Sequence, residues 1–222
     1  MQYQNMRNAH NNQEKAIFDG VGPYGVPGIP PCNISLDGLK FERFDIALRD
    51  RNPKDKIVHF FTDDFLFDRV WHNPEKYLSM LGRFRAVVAP DFSLYADHPK
   101  ALQIYNHFRK HWCSAYWASM GITVIPSPRW VEGDDSSFEW CLDGDPIGST
   151  ICISTHGSIK GDRRKKLFLE GFQATVEKLR PSGIILYGDP VPGLSFDGPL
   201  VQLTNENMVY RRKYCRRTRE VI

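Results

Sequence analysis

Several side chains of the kinds that carry out catalysis follow short apolar segments of this chain. The five catalytic candidates are three carboxyl groups, one guanidinium group and one imidazole: Asp64, Asp91, Glu139, Arg129 and His156. An imidazole held by a carboxylate transfers protons as a general acid or base. A guanidinium group binds anions through paired, charge-assisted hydrogen bonds. These residue types predict a site for an anionic ligand, with proton transfer as its available chemistry.

A second set of residues beside the same segments is suited to ligand binding. It combines acids and hydroxyl groups with aromatic rings and a glycine: Asp63, Ser93, Trp130, Trp140, Ser154, Gly157, Tyr187 and Asp189. The two tryptophans offer stacking surfaces or a lid for a ligand, although such indoles also pack in protein cores. The aspartates have a structural interpretation as helix caps or turn formers, and Arg129 has one as their ion-pair partner.

A divalent metal ion is a further hypothesis for the same residues. Asp64 and Asp91, together with Asp189 or His156, offer ligand atoms of types that divalent cations accept. The sequence contains no spaced metal-ligand motif, P-loop, glycine-rich dinucleotide motif or nucleophile elbow. The metal ion is therefore an open alternative, and no cofactor is assigned.

The elements that must position these groups are predicted strands of a parallel sheet. Continuously apolar runs occur at residues 57–61, 86–89, 122–125, 151–153 and 184–186, with a sixth candidate at 200–203. Helical periodicity over residues 98–120 and 163–180 places helices between strands, with Asp97 and Asp162 as candidate N-caps. Strands covered on both faces and linked by helices predict an α/β fold with five to six parallel strands, as an open sheet or a partial (β/α) barrel. The polar groups then meet at the carboxyl ends of the strands, where such folds bind ligands.

Composition divides the chain into three parts. Residues 1–19 are predicted to form a disordered or extended arm, residues 20–205 a single α/β domain, and residues 206–222 a basic tail. The tail's six cations are nucleic-acid-binding candidates: Arg211, Arg212, Lys213, Arg216, Arg217 and Arg219. The alternatives are a solubilising tail, or one that packs on the acidic body of the protein.

The cellular compartment follows from cysteine usage and hydropathy. The five cysteines are odd in number and scattered, and the first residues contain no apolar segment typical of a secretory signal. No apolar run approaches the roughly 20 residues that span a bilayer. These features predict a cytoplasmic protein with reduced thiols and no membrane contact.

Several stretches resemble the uncharacterised family known as domain of unknown function 4417, which is common in phages, prophages and plasmids. They include FFTDDFLFDRVWHNPEKYL, APDFSLYADHPKALQIYNHFRKHW, GITVIPSPRW, SFEWCLDG, STHGSIK and IILYG, and the resemblance covers about residues 18–190. It implies a mobile-element protein with a common pocket, and it carries no established activity.

Three kinds of function remain open at this point. The leading hypothesis is a pocket enzyme that acts on a nucleotide, a nucleic acid or another phosphorylated ligand. The alternatives are a non-catalytic accessory protein that binds nucleic acid through the basic tail, and a host-directed inhibitor that binds a host protein.

Overall fold

The computed structural model describes residues 11–204 of the chain. Its strands are β1 (Gly20–Val21), β2 (Val26–Pro27), β3 (Lys40–Arg43), β4 (Lys56–His59), β5 (Ala86–Val88), β6 (Val124–Ile125), β7 (Thr150–Ser154), β8 (Gly183–Tyr187) and β9 (Leu200–Leu203). Its α-helices are α1 (Phe44–Ala47), α2 (Arg69–His72), α3 (Leu78–Leu81), α4 (Lys100–Ser119) and α5 (Asp162–Leu179). Short 3-10 turns occupy Asp64–Leu66, Pro74–Tyr77 and Asp135–Glu139. None of the helices in this part of the chain combines the length and apolarity of a membrane span.

The main strands form two parallel sheets. One sheet has the order β3-β4-β5-β6, and the other has the order β7-β8-β9. The backbone amide of Cys152 in β7 donates to the carbonyl of Pro126, just after β6, at 2.9 Å. The predicted parallel α/β class is confirmed. The prediction of one sheet is corrected, because this seam lacks the regular ladder that joins strands within a sheet.

The two sheets curve around a shared interior, which favours the partial barrel over the open sheet. Alternate residues of successive strands, such as Ile57, Ile125 and Ile185, meet in one buried cluster. The rings of Phe41 in β3 and Tyr187 in β8 lie 5.7 Å apart. Five strand intervals would separate these strands by about 24 Å in a flat arrangement. The ring contact therefore requires curvature that brings the first strand back toward the last ones.

Helices cover the outer faces of the strands. Val58 and Val87 point away from the barrel interior and pack with Trp117 of α4. Ile151 and Ile184 pack in the same way with Phe172 of α5. This alternation places apolar residues on both faces of each strand, which explains why the strands read as continuous apolar runs.

The two long helices lie where periodicity predicts them, but their N-caps differ from the prediction. The N-cap of α4 is Pro99 rather than Asp97, and the N-cap of α5 is Gly161 rather than Asp162. Gly161 has φ +86°, a conformation that favours glycine, and it moves Asp162 into the first turn. The capping prediction was therefore wrong at both helices.

The N-terminal part of the described chain packs on the domain. Asn12 is buried, and its side-chain amide donates to the carbonyl of Trp71 at 2.6 Å. The indole of Trp112 donates to the carbonyl of Ala16 at 3.1 Å. The glycine- and proline-rich segment that follows forms the β1-β2 ribbon, and the amide of Ile29 donates to the carbonyl of Gly144 at 2.8 Å. Residues 1–10 and 205–222, which hold most of the predicted arm and the basic tail, lie outside the described residues.

Two buried histidines on α4 each form a hydrogen bond through one ring nitrogen. His107 Nε2 lies 3.0 Å from the carbonyl oxygen of Asp143, and His111 Nδ1 lies 3.1 Å from that of Pro27. A ring nitrogen that is hydrogen-bonded to a carbonyl oxygen carries the N–H hydrogen, so the second nitrogen of each neutral ring is an acceptor. Neither second nitrogen has a hydrogen-bond partner among residues 11–204. The two rings therefore present unmatched acceptors to the interior.

The carboxyl group of Asp145 lies beside these rings. Its Oδ1 is 3.8 Å from His111 Nε2, its side chain is fully buried, and neither oxygen has a hydrogen-bond partner in the described structure. Burial raises the pKa of Asp145 to about 6 and lowers the pKa of His107 and of His111 well below 6.5. All three groups are therefore driven toward their neutral forms by the same lack of water.

Candidate functional site

The carboxyl ends of four parallel strands open into one pocket of about 700 Å³. Its wall is formed by the residues after β4, β5, β6 and β7 and by the first turns of α5. The lining residues are Phe61, Thr62, Asp63, Asp91, Ser93, Leu94, Tyr95, Ala96, Asp97, Arg129, Trp130, Glu132, His156, Gly157, Ser158, Arg163, Arg164 and Leu167. A concave site at this position is where parallel α/β folds bind ligands.

Three of the five catalytic candidates line this pocket. They are Asp91 after β5, Arg129 after β6 and His156 after β7. Arg129 Nη1 lies 3.3 Å from Asp91 Oδ2, so the guanidinium group pairs with an aspartate within the pocket wall. Four ligand-binding candidates line the same pocket: Asp63, Ser93, Trp130 and Gly157. The geometry brings together groups that lie more than 90 residues apart in the sequence.

Asp64 lies outside this lining and holds the loop after β5. Its two carboxylate oxygens accept hydrogen bonds from the Ser93 backbone amide at 3.1 Å and from the Ser93 hydroxyl at 2.8 Å. Burial raises the pKa of Asp64, and the hydrogen bonds from Ser93 partly oppose that increase. The structure therefore gives Asp64 a positioning role toward Ser93.

A tight turn after β7 presents His156 to the pocket. The backbone amide of His156 donates to the Ser154 hydroxyl at 3.1 Å, and the Thr155 hydroxyl donates to the Asp189 carbonyl at 3.0 Å. Gly157 has φ +80°, which allows the chain to reverse directly after the imidazole. Ser154 and Asp189 thus hold this turn through the contacts shown, and neither is a lining residue of the pocket.

The remaining candidates lie elsewhere in the fold. Trp140 is buried, and its ring lies 5.6 Å from that of His107 in the core. Tyr187 lies inside the barrel, where its ring stacks on Phe61 at 5.0 Å. Glu139 is exposed on the last 3-10 turn, outside the pocket lining. The 134–140 segment, interpreted from sequence as a cover for the pocket, is instead tied to α5 by a hydrogen bond from Lys178 Nζ to the Phe138 carbonyl.

The carboxylate-based metal site, which the sequence left as an open alternative, is not assembled in the described part of the chain. Within residues 11–204, no three His, Cys, Asp or Glu side chains are grouped so that they could share a metal ion. The Asp64 carboxylate is directed to Ser93, and the Asp91 carboxylate is directed to Arg129. These two carboxylates therefore have protein partners in the structure.

Sequence reasoning missed four lining residues of functional interest, one of which is Glu132 after β6. Arg163 and Arg164 lie in the first turn of α5, and Tyr95 lies in the loop after β5 with 54% of its surface exposed. Arg164 Nη1 donates to the Gly157 carbonyl at 3.1 Å, which ties the helix to the turn that carries His156. The basic run after Gly161 is the signal that could have revealed the two arginines.

The amino-acid sequence of the chain is similar to those of phage proteins. The chain is 40% identical over 178 residues to the Gene 1 protein of Mycobacterium phage L5, covering 78% of this chain and 75% of that protein. It is 39% identical over 131 residues to the Gene 1 protein of Mycobacterium phage D29, covering 59% of this chain and 48% of that protein. No solved structure matches the chain. The family model described as Domain of unknown function (DUF4417) matches residues 18–203, which confirms the resemblance noted from the motifs and extends it through β9. The chain therefore belongs to the DUF4417 family and is a phage-type protein.

Proposed function

We propose that this protein binds a phosphorylated ligand, either a nucleotide or a segment of nucleic acid, in the strand-end pocket. The observation that carries the proposal is the presence of three guanidinium groups, from Arg129, Arg163 and Arg164, in the lining of one concave site. Guanidinium groups bind phosphate oxygens through pairs of hydrogen bonds. The convergence of four strand ends supports a binding role for the same site.

Arg163 and Arg164 are the best placed of the three for a phosphate group. Arg129 is already paired with Asp91, whereas neither of the two helix arginines has a carboxylate within ion-pair distance in the described part of the chain. Arg164 uses one nitrogen for the Gly157 carbonyl, and a guanidinium group has five N–H donors in total. We therefore place the phosphate at the wall formed by α5.

The other walls suit the remainder of a nucleotide. Asp63, Asp91 and Glu132 supply carboxylate oxygens, which accept hydrogen bonds from sugar hydroxyls and base amino groups. The exposed ring of Tyr95 offers a face on which a base can stack. A pocket lined by both acids and cations matches the mixed polarity of a nucleotide better than that of inorganic phosphate.

His156 is the group that we propose as general acid or base if the bound ligand reacts. Its imidazole is exposed at the pocket, and the tight turn after β7 fixes its backbone. Imidazole is the side chain that most often transfers protons in enzymes. Turnover that falls with His156→Ala while ligand affinity is retained would support this role.

A cytoplasmic location is part of the same proposal. Cys32, Cys113, Cys141 and Cys152 are all buried free thiols. Such thiols are typical of proteins that work in a reducing compartment.

Calorimetric titration with nucleoside monophosphates and triphosphates tests the proposed ligand. The variant Arg163→Gln with Arg164→Gln should lose at least about tenfold in affinity, because each charge-assisted hydrogen bond contributes roughly 1.5–3 kcal/mol. The matched control is Arg49→Gln with Arg51→Gln, which removes the same charge ahead of β4, at the opposite end of the sheet. Equal binding by both variants, or binding of neither a nucleotide nor an oligonucleotide by the native protein, would refute the proposal.

A further inference from the structure

The start of α5 carries a dense group of cations that extends beyond the pocket. Residues 160–166, here called the basic segment, contain five basic residues and one acid in seven positions: Lys160, Arg163, Arg164, Lys165, Lys166 and Asp162. Lys165 is half-buried, and the other cations are exposed. This concentration of positive charge lies on the described domain and is separate from the C-terminal tail.

The charges of the basic segment are almost uncompensated by the protein itself. Within residues 11–204 its one ion pair joins Lys166 to Glu170 at 3.8 Å, with 79% and 58% of these side chains exposed. Cations in the first turn of a helix are repelled by the positive end of the helix dipole. Like charges three or four residues apart on a helix also repel each other. The arrangement is electrostatically unfavourable in the isolated protein, and a bound polyanion would relieve it.

The basic segment is continuous with the strand-end pocket. Arg163 and Arg164 line the pocket, whereas Lys160, Lys165 and Lys166 are not among its lining residues. A ligand with one phosphate group would engage the two arginines and leave the three lysines unused. A ligand with successive phosphates would engage both sets, which is the property that distinguishes a nucleic acid strand from a mononucleotide.

Exposed aromatic side chains lie within or next to the segments that line the pocket. Tyr95 lines the pocket, and Phe65, two residues after the lining residue Asp63, has 76% of its surface exposed. Proteins that bind single-stranded nucleic acids combine a basic track for the backbone with aromatic rings on which bases stack. A base that is already unstacked enters a pocket at less cost than one in a duplex.

We propose that a single-stranded nucleic acid runs across the basic segment and places one nucleotide in the strand-end pocket. This inference rests on the proposed function, because it requires the pocket to accept a phosphorylated group. It goes further in selecting the nucleic acid over the free nucleotide, in specifying a single strand, and in assigning the three lysines outside the pocket to its neighbouring phosphates.

The test compares a polymer with a monomer on the full-length protein. The variant Lys160→Gln with Lys166→Gln removes two charges outside the pocket, and Arg51→Gln with Lys54→Gln removes two ahead of β4, at the opposite end of the sheet. The probes are a fluorescein-labelled oligothymidylate of about 12 nucleotides, chosen to exceed a minimal single-strand site, and thymidine monophosphate. Fluorescence anisotropy is measured for the oligonucleotide, and calorimetry for the monophosphate.

We expect the lysine variant to bind the oligonucleotide with a shallower salt dependence. Each phosphate contact contributes about −0.7 to the log–log slope for single strands, so two lost contacts reduce its magnitude by about 1.4. The ratio of the native protein's oligonucleotide affinity to that of the lysine variant should therefore fall about 25-fold between roughly 0.05 M and 0.5 M salt. The control variant should retain the native slope, and duplex DNA of the same length should bind more weakly than the single strand.

The possible failures are distinguishable. If thymidine monophosphate binds but the lysine variant keeps the native oligonucleotide affinity and slope, the inference is wrong and the proposed function stands. If the native protein binds neither probe, both are wrong. Preferential binding to duplex DNA, or to vesicles containing phosphatidylserine instead of the oligonucleotide, would also overturn the inference.

Discussion

Replacing Asp145 by Asn should stabilise the protein, and the gain should depend on pH. The Asp145 side chain is fully buried, both of its oxygens lack hydrogen-bond partners in the described structure, and burial raises the pKa of its carboxyl group from the ordinary value of 3.8 to about 6. Above pH 6 the native protein therefore contains a buried, ionised carboxylate. Asn has the same shape without the charge, and its amide can donate to the unmatched Nε2 of His111.

The magnitude follows from the difference in proton affinity between the folded and unfolded states. A carboxyl group whose pKa is raised on folding favours the folded state when protonated, so this stability is lost as pH rises through about 4 to 6. Ionisation of Asp145 lowers the free energy of unfolding by about 3 kcal/mol at pH 8 and by about 1 kcal/mol at pH 4.5, relative to a protein in which this group stays protonated. The Asp145→Asn variant should therefore be more stable than the native protein by about 3 kcal/mol at pH 8 and by about 1 kcal/mol at pH 4.5.

Urea unfolding followed by tryptophan fluorescence at both pH values measures this difference, because Trp140 packs beside His107 of the same cluster. The exposed control Asp55→Asn should change the stability by less than about 0.5 kcal/mol at either pH. The buried histidines have lowered pKa values and destabilise both proteins in acid, so the native protein is measured at each pH and the part of this effect that the two proteins share is subtracted. An Asn variant that is no more stable at pH 8, or whose gain is equal at both pH values, would refute the reasoning.

Three further predictions concern the pocket wall and the tail. Gly171→Ala should destabilise the protein by about 1–3 kcal/mol and alter its tryptophan emission, because an added Cβ would lie 2.1 Å from Trp130 Nε1; an unchanged melting temperature would contradict this. Asp91→Ala should weaken nucleotide binding, because it removes a pocket carboxylate that accepts hydrogen bonds from sugar hydroxyls and base amino groups, while the free energy of unfolding falls by at most about 1 kcal/mol; a variant that unfolds would make Asp91 a structural residue. Truncation after Met208 should reduce the salt slope of duplex DNA binding by at most about 5, and equal binding by the truncated and full-length proteins would exclude the tail from function.

The one main strand that sequence analysis overlooked is β3, and its environment explains the omission. Its sequence is Lys-Phe-Glu-Arg, and it pairs with β4 on one side as the edge of the four-stranded sheet. An edge strand is partly exposed and therefore lacks the continuous apolar run that marked the central strands.

Two of the catalytic candidates, Asp64 and Glu139, lie outside the pocket lining, and they show where sequence patterns lose resolution. Asp63 and Asp64 are neighbours after the same strand, yet Asp63 lines the pocket and Asp64 bonds to Ser93. Which of two adjacent carboxylates faces a cavity depends on the local backbone turn and on a partner 29 residues away. The position of Glu139 likewise depends on the path of the 134–140 segment, which a contact with α5 helps to set.

The sequence by itself determined the order of the central strands and of the two long helices, and hence the edge of the sheets at which the polar motifs gather. It could do so because burial on one or both faces of an element leaves a periodic record within a few neighbouring residues. Only the tertiary structure decided which of those polar groups share a pocket, that two sheets curve until Phe41 meets Tyr187, and that arginines of α5 complete the wall. Those outcomes depend on contacts between residues far apart in the chain, and no local pattern encodes such distances.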